Sequence, residues 1–321
     1  MLNVGVYLTN GMATVVEICN ALEGVEARAF HNAAALADAV GDLNVAIMQN
    51  GSYTPEMVAA IARSPRMQLV QASAAGIDAF RALGVPKNVV LTSAGDVWAA
   101  SVADHAMALL LGLLRALPTY ERLRQYARWD RNYAVQALGG ISGRTILVVG
   151  LGNIGRAVAR RARAFDMRVI AVCRTLPSGA DSLPVERIEP VGRLKTALAE
   201  ADVVVLCVPL TPDTRHLIDT AALAAMKPTA VLVNVSRGEV IDQAALILAL
   251  TAGKLAGAGL DVTEPEPLPA NHPLWGIEQV IMSPHLAAFD DGPAFEKLAL
   301  LCRENLRRLQ AEEPLLNLVH L

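Results

Sequence analysis

Apolar positions in this chain come mostly as short unbroken runs set between stretches of helical spacing, the pattern of strands buried on both faces of a parallel sheet. Residues 4–8, 45–48 and 69–72 read as such strands, and residues 14–22, 33–39 and 55–62 as helices between them. Residues 101–114 form a strongly apolar helix with Ser101 as its expected N-cap and Asp104 in its first turn; it reads as a hinge or crossing helix between two domains. Past Gly139 and Gly140 the alternation resumes. Strands are predicted up to Val149 and over 168–173, 201–208, 230–235, 255–262 and 280–282, with helices at 154–165 and, closing the chain, 294–310. This alternation is α/β, a doubly wound parallel sheet in each of two domains. They are expected over 1–98 plus 290–321 and over 99–289.

Residues 144–156 read R-T-I-L-V-V-G-L-G-N-I-G-R, a buried strand entering a helix through a Gly-x-Gly-x-x-Gly turn. Gly150 permits the tight turn, Gly152 lets backbone approach a pyrophosphate, and Gly155 lets the helix pack closely on its strand. The diphosphate would sit on the helix N-terminus, where unpaired N–H groups and the helix dipole favour an anion. The competing reading is a tight turn with no ligand. Where a NAD-selective protein carries an acid after the second strand, this chain has Cys173, followed by Arg174 and Thr175. An arginine and a hydroxyl accommodate a 2′-phosphate, and Asp166 stands at the opposite end of the strand, so NADP is favoured over NAD. An Arg174 that is merely exposed is the plainer alternative. S-A-A-G-I-D at 73–78 is a small-residue turn at the carboxyl end of a strand; its N–H groups suit a carboxylate, though an ordinary glycine turn fits as well.

Composition narrows the class. At 321 residues, 53% hydrophobic and 18% charged, the chain can bury two cores. Its longest apolar runs, 106–114 and 201–210, fall short of the ~18 residues of a membrane span, and its start lacks a signal-peptide pattern, so a cytoplasmic protein without membrane contact is expected. Cys19, Cys173, Cys207 and Cys302 lack metal-type spacing, and no metal is expected. A net charge of −3 argues against a nucleic-acid binder. The Arg-rich run E-R-L-R-Q-Y-A-R-W-D-R reads as a solvated helix end with Trp129 in a packing or subunit contact.

Three consecutive predicted strands end in N-V-S-R-G-E, T-E-P-E-P-L-P and S-P-H-L-A, which brings Arg237, Glu266 and His285 to one sheet edge. Singly, each has a structural explanation. Together they form a fixed cation, a carboxylate and a proton donor, a set suited to reducing a 2-keto acid. Arg237 would hold the substrate carboxylate, His285 would protonate the carbonyl oxygen, and Glu266 would keep the imidazolium charged.

V-V-G-L-G-N-I-G-R, V-P-L-T-P-D-T-R-H-L-I, V-N-V-S-R-G-E-V-I-D, G-A-G-L-D-V-T-E-P-E-P-L-P and S-P-H-L-A resemble the D-isomer-specific 2-hydroxyacid dehydrogenase family, most specifically over 148–288. L-V-Q-A-S-A-A-G-I-D and S-V-A-D-H-A resemble it more weakly. The resemblance implies a flavodoxin-like and a dinucleotide-binding Rossmann-like domain with a cleft between them, and a homodimer joined through the crossing helix. By motif position it makes Arg237 the substrate arginine, Glu266 and His285 the catalytic dyad, and Ala75 and Gly76 the backbone pair for the substrate carboxylate. Asp261 falls near the nicotinamide amide; Asn153, Ile154, Pro209 and Thr214 join the glycines as cofactor contacts. Cys173-Arg174-Thr175 resembles the NADPH-preferring glyoxylate/hydroxypyruvate reductases. Residues 29–62 contain no Lys or Arg, and Q-N-G-S-Y stands where phosphoglycerate dehydrogenases carry a cation, so a small unphosphorylated acid is expected. Met48, Tyr53, Trp98 and Phe289 are the large side chains whose size would set the pocket. A dinucleotide-sensing scaffold, or a dehydrogenase of an anion such as phosphite or formate, are the rival readings.

Overall fold

Strands that are apolar on both faces need cover on both faces, and the two sheets of this protein are parallel throughout, with helices on the crossovers. A computed structural model describes residues 1–321 other than 137, 177, 178, 180, 181 and 290–292, and residue 136 by its backbone alone. The chain divides into two compact units, Met1–Trp98 with Asp290–Leu321, and Ala99–Phe289. Residues 290–292, with which the second segment of the expected first domain begins, lie outside the described residues.

The first unit alternates β1 (Leu2–Tyr7), α1 (Met12–Asn20), β2 (Val25–Ala29), α2 (Ala33–Ala39), β3 (Val45–Met48), α3 (Pro55–Arg63), β4 (Leu69–Ala72), α4 (Asp78–Leu83) and β5 (Val90–Thr92). Its sheet has the order β2-β1-β3-β4-β5. The chain's last helix, α12 (Ala294–Gln310), covers one face beside α1, joining Leu298, Cys302 and Leu306 to Val4, Val15 and Cys19 in one core. A second core on the opposite face holds Leu36, Met57, Ile61 and Phe80.

The second unit begins with α5 (Ala99–Leu114), α6 (Leu117–Gln125) and α7 (Arg131–Gln136). It continues with β6 (Thr145–Val149), α8 (Asn153–Ala164), β7 (Arg168–Cys173), β8 (Arg187–Pro190), α9 (Leu194–Glu200), β9 (Val203–Leu206), α10 (Thr220–Ala225), β10 (Val231–Asn234), α11 (Gln243–Thr251), β11 (Gly257–Leu260) and β12 (Val280–Met282). Its seven strands run in the order β12-β11-β10-β9-β6-β7-β8. α5 is a core helix of this unit, packed on α8 and on β10, β11 and β12. Because α5 starts at Ala99, Ser101 is an interior, buried residue rather than the N-cap, and Asp104 lies beyond the first turn, paired with Arg161 of α8 at 2.7 Å. The edge strands β2 (V-E-A-R-A) and β8 (R-I-E-P) carry charged residues and lack the apolar run that marks interior strands. Among the described residues no single helix is long and apolar enough to cross a membrane.

Candidate active site

β6 delivers the glycine turn as the sequence requires. Gly150 has φ 95°, in the region that disfavours side chains, and a Cβ there would stand 2.7 Å from the Cys207 carbonyl oxygen. A Cβ on Gly155 would meet the Gly150 carbonyl oxygen at 1.9 Å, so only glycine lets α8 leave its strand this closely. Gly152, at the N-cap of α8, gives no side-chain cap, and the space where its Cβ would stand is open. Asn153, Ile154 and Gly155 supply the first-turn N–H groups that a helix leaves without intrahelical acceptors, and no acid occupies this turn. The cradle fits a diphosphate. Arg174 and Thr175 follow β7 and are exposed; residues 177, 178, 180 and 181 just beyond lie outside the described residues.

At the other side of this sheet β10, β11 and β12 are adjacent, and their carboxyl ends carry Arg237, Glu266 and His285. Asn234, fully buried, shapes the first loop: its amide donates to the Arg237 carbonyl at 2.8 Å, and its Oδ1 accepts from the Ser236 N–H and hydroxyl. A Cβ on Gly238 would fall 2.1 Å from the Thr263 carbonyl, so glycine allows this loop to press against the one bearing Glu266. The Gln243 side chain brackets Glu264, accepting from its N–H at 3.0 Å and donating to its carbonyl at 2.5 Å. The Glu266 carboxylate is thereby aimed. Oε1 accepts from the Thr263 N–H at 3.1 Å, and Oε2 accepts from His285 Nδ1 at 2.8 Å. With Nδ1 engaged, Nε2 is the nitrogen available to a ligand, and the imidazole is about half exposed.

The hydrogen bond to Glu266 raises the His285 pKa above its ordinary value; burial and the Arg237 charge oppose this, while the charges of Glu266 and Asp261 add to it. Burial works against ionisation of Glu266, but the His285 hydrogen bond and charge, the Thr263 N–H and the Arg237 cation outweigh it and hold the carboxyl below its usual range. A raised imidazole pKa keeps the proton to higher pH. A reaction that consumes this proton is therefore expected to slow as pH climbs through the His285 pKa. Glu266→Gln is expected to move that alkaline limb of kcat to lower pH, and a limb that stays in place would separate Glu266 from the imidazole's charge.

Other sequence-chosen residues stand as follows. Asp261 is 2% exposed, its carboxylate turned inward to the loop after β12. The Thr214 hydroxyl donates to the Pro209 carbonyl at 2.6 Å and accepts from the Thr211 N–H, closing the loop after β9. Ala75 and Gly76 belong to the first unit, in the loop between β4 and α4, with Ala75 exposed. Met48 and Tyr53 are core residues of that unit: Tyr53 stacks on Phe80 and its hydroxyl donates to the Gly84 carbonyl, which removes both from the side chains that could size a pocket. Sequence reasoning gave no role to Asn234, Gly238, Gln243, Ser283 or His105. A cavity of about 550 Å³ beside the pair is bounded by Glu266, His285, Leu268, Trp275 and Met282. Among the described residues no group of three or more His, Cys, Asp or Glu side chains could hold a metal.

Residues 107–287 match the family model described as D-isomer specific 2-hydroxyacid dehydrogenase, NAD binding domain. A glyoxylate reductase of Pyrococcus furiosus is 39% identical over 251 residues, 76% of this chain and 73% of that one. A glyoxylate reductase of Korarchaeum cryptofilum is 36% identical over 266 residues, 80% of this chain and 77% of that one. The crystal structure of a D-isomer specific 2-hydroxyacid dehydrogenase from Xanthobacter autotrophicus Py2, in complex with NADPH and MES, superposes with a TM-score of 0.82 at 29% identity, covering 99% of this chain and 98% of that one.

Proposed function

The chain belongs to the D-isomer specific 2-hydroxyacid dehydrogenase family, and from that premise we propose that it is an NADP(H)-preferring reductase of small unphosphorylated 2-keto acids, glyoxylate or hydroxypyruvate first among them. The observation that carries this reading is the Glu266–His285 pair beside Arg237 at the carboxyl edge of β10, β11 and β12. The second unit is taken as the dinucleotide-binding domain and the first as the substrate-binding domain. Gly150, Gly152, Asn153, Ile154 and Gly155 would hold a nicotinamide dinucleotide by its diphosphate, and that cofactor supplies the hydride added to C2 of the keto acid. Arg237 binds the substrate carboxylate through two N–H groups and polarises the neighbouring carbonyl. Nε2 of His285 gives its proton to the carbonyl oxygen, so a 2-hydroxy acid leaves and the imidazole is neutral. Glu266 stabilises the imidazolium before the transfer. Ala75 and Gly76, in the loop after β4 of the first unit, carry N–H groups of the kind that suit a carboxylate.

The preference for NADP rests on Cys173-Arg174-Thr175, where an arginine and a hydroxyl replace the acid that would repel a 2′-phosphate, and on the likeness to a protein solved with NADPH. The preference for an unphosphorylated acid rests on the lack of Lys and Arg in residues 29–62. There Gln49 Oε1 is engaged by the N–H and hydroxyl of Thr9. Oxidation of NADPH and of NADH, followed at about 340 nm with glyoxylate, hydroxypyruvate, pyruvate and phenylpyruvate, tests the whole reading. NADPH is expected to give kcat/KM higher by about tenfold or more, the worth of one charge-assisted hydrogen bond. Turnover favouring NADH would overturn the cofactor preference. Cofactor binding with no turnover on any acid would favour a dinucleotide sensor instead.

A homodimer completes the proposal. The apolar face of α5 is consumed inside its own unit, so the surface offered to a second copy is the α6–α7 segment, where Leu117, Tyr126, Trp129 and Val135 are exposed, Trp129 at 99%. Sedimentation at twice the chain mass, lost in Trp129→Asp, is the expected result, and a monomeric wild type would discard it.

A further inference from the structure

α5 lies unusually close to β11, and the contact has a register. A Cβ on Gly257 would stand 3.2 Å from the Leu113 side chain, and one on Gly259 would stand 2.8 Å from that of Leu109. Four residues of helix rise about 6 Å, and two residues of strand about 6.6 Å, so the pairing steps in phase along the two elements. The next step in the same direction pairs His105 with Asp261, the first residue past β11. The two glycines thus bring a helix histidine to the base of the loop that carries His285.

Proton bookkeeping defines what happens there. Ser283 has one hydroxyl hydrogen, and it donates to Asp261 Oδ1 at 2.7 Å. The His105 Nε2 atom is 2.7 Å from the same hydroxyl oxygen, which can only accept from it, so His105 carries its hydrogen on Nε2. Asp261 Oδ1 also accepts from the Leu286 N–H at 2.8 Å, and Oδ2 from the Ala287 N–H at 3.0 Å. The Asp261 carbonyl accepts from the His285 N–H at 2.8 Å. His285, between these anchors, has φ 54°, a left-handed conformation that a non-glycine residue keeps only when its surroundings impose it.

We propose that His105 is a positioning residue for His285, acting through the Ser283 hydroxyl and the buried Asp261 carboxylate to hold the loop that aims the imidazole at its partner. The proposal rests on the reading of His285 as proton donor, and its test carries a readout that does not depend on turnover. The groups facing the His285 imidazole are Glu266 and Asp261, both in the segment after β11, and Arg237, which follows β10. A loop loosened at Asp261 lets the imidazole drift from Glu266 and weakens the interaction that favours its charged form.

The experiment titrates the His285 imidazole by NMR in the wild-type chain, in His105→Leu and in His105→Gln, whose amide can donate from the place of Nε2. Steady-state kcat and NADPH affinity are measured beside it. His105→Leu is expected to shift the titration midpoint of His285 downward and to lower kcat about tenfold while NADPH affinity holds, and His105→Gln to recover most of both. Should His105→Leu misfold, Ser283→Ala removes the bridging hydroxyl and leaves His105 only its 3.5 Å approach to Asp261, with Ser283→Thr as its rescue. Unchanged titration in His105→Leu, or a His105→Gln variant no better than His105→Leu, overturns the proposal. A shifted titration in a protein whose His285→Asn variant stays active would overturn the proton-donor reading and leave the positioning role standing.

Discussion

His285→Asn is expected to lower kcat for keto acid reduction about a thousandfold at neutral pH, within the range a positioned general acid contributes. Asparagine keeps a polar group near Nδ1 to face Glu266, yet has nothing at the place of Nε2, so the change isolates the acid from the scaffold around it. NADPH affinity should hold, since the glycine cradle lies at the start of α8 and does not involve this loop. A variant that retained most of its activity would end the proton-donor assignment.

Arg237→Ala is the second large effect. Because one guanidinium both binds the carboxylate and polarises the carbonyl, kcat/KM should fall by about three orders of magnitude, with KM raised and kcat lowered together. Loss of KM alone would confine Arg237 to binding, and loss of kcat alone would confine it to the transition state. Arg237→Lys keeps the charge without the planar fork and should recover only part of the loss. Removing Arg237 also removes a cation that disfavours the charged form of His285, so the alkaline limb of whatever activity remains should move to higher pH.

The parts of this site that were legible in the chain share a physical cause. β10, β11 and β12 belong to a sheet covered on both sides, β10 and β11 fully buried, and such strands appear as apolar runs whose polar followers mark their carboxyl ends. Arg237, Glu266 and His285 could be found because each stands a few residues past such a run. The glycine turn was legible because Gly150 and Gly155 each answer a separate steric demand, while Gly152 leaves open space at the start of α8. What escaped were features set by contact across the chain. His105 and Ser283 are 178 residues apart, and only the close seating of α5 on β11 joins them. Asp261 reads from its motif as a ligand residue; that its carboxylate faces the protein depends on N–H groups from a loop 25 residues later. Met48 ends an apolar run and Tyr53 stands in the polar stretch just after it, where pocket walls are expected, whereas the helices α3 and α4 fold over both. Edge strands β2 and β8 lack the apolar run by which interior ones are seen: β2 has three exposed residues of five and β8 has no buried one.

The make-up of the first unit constrains the order in which the protein can be built. Its core needs Leu298, Cys302 and Leu306 from α12 to cover Val4, Val15 and Cys19, yet these two groups are separated by the entire second unit. During translation residues 1–98 emerge with one apolar face of their sheet covered by α1 alone, and it stays so while some 190 more residues are made, about ten to forty seconds at ordinary elongation rates. The second unit, continuous in the chain, can complete itself in that interval. Assembly on the ribosome therefore runs out of sequence, middle first and ends last, and the nascent N-terminal sheet is the stretch that most needs shielding until the final helix arrives.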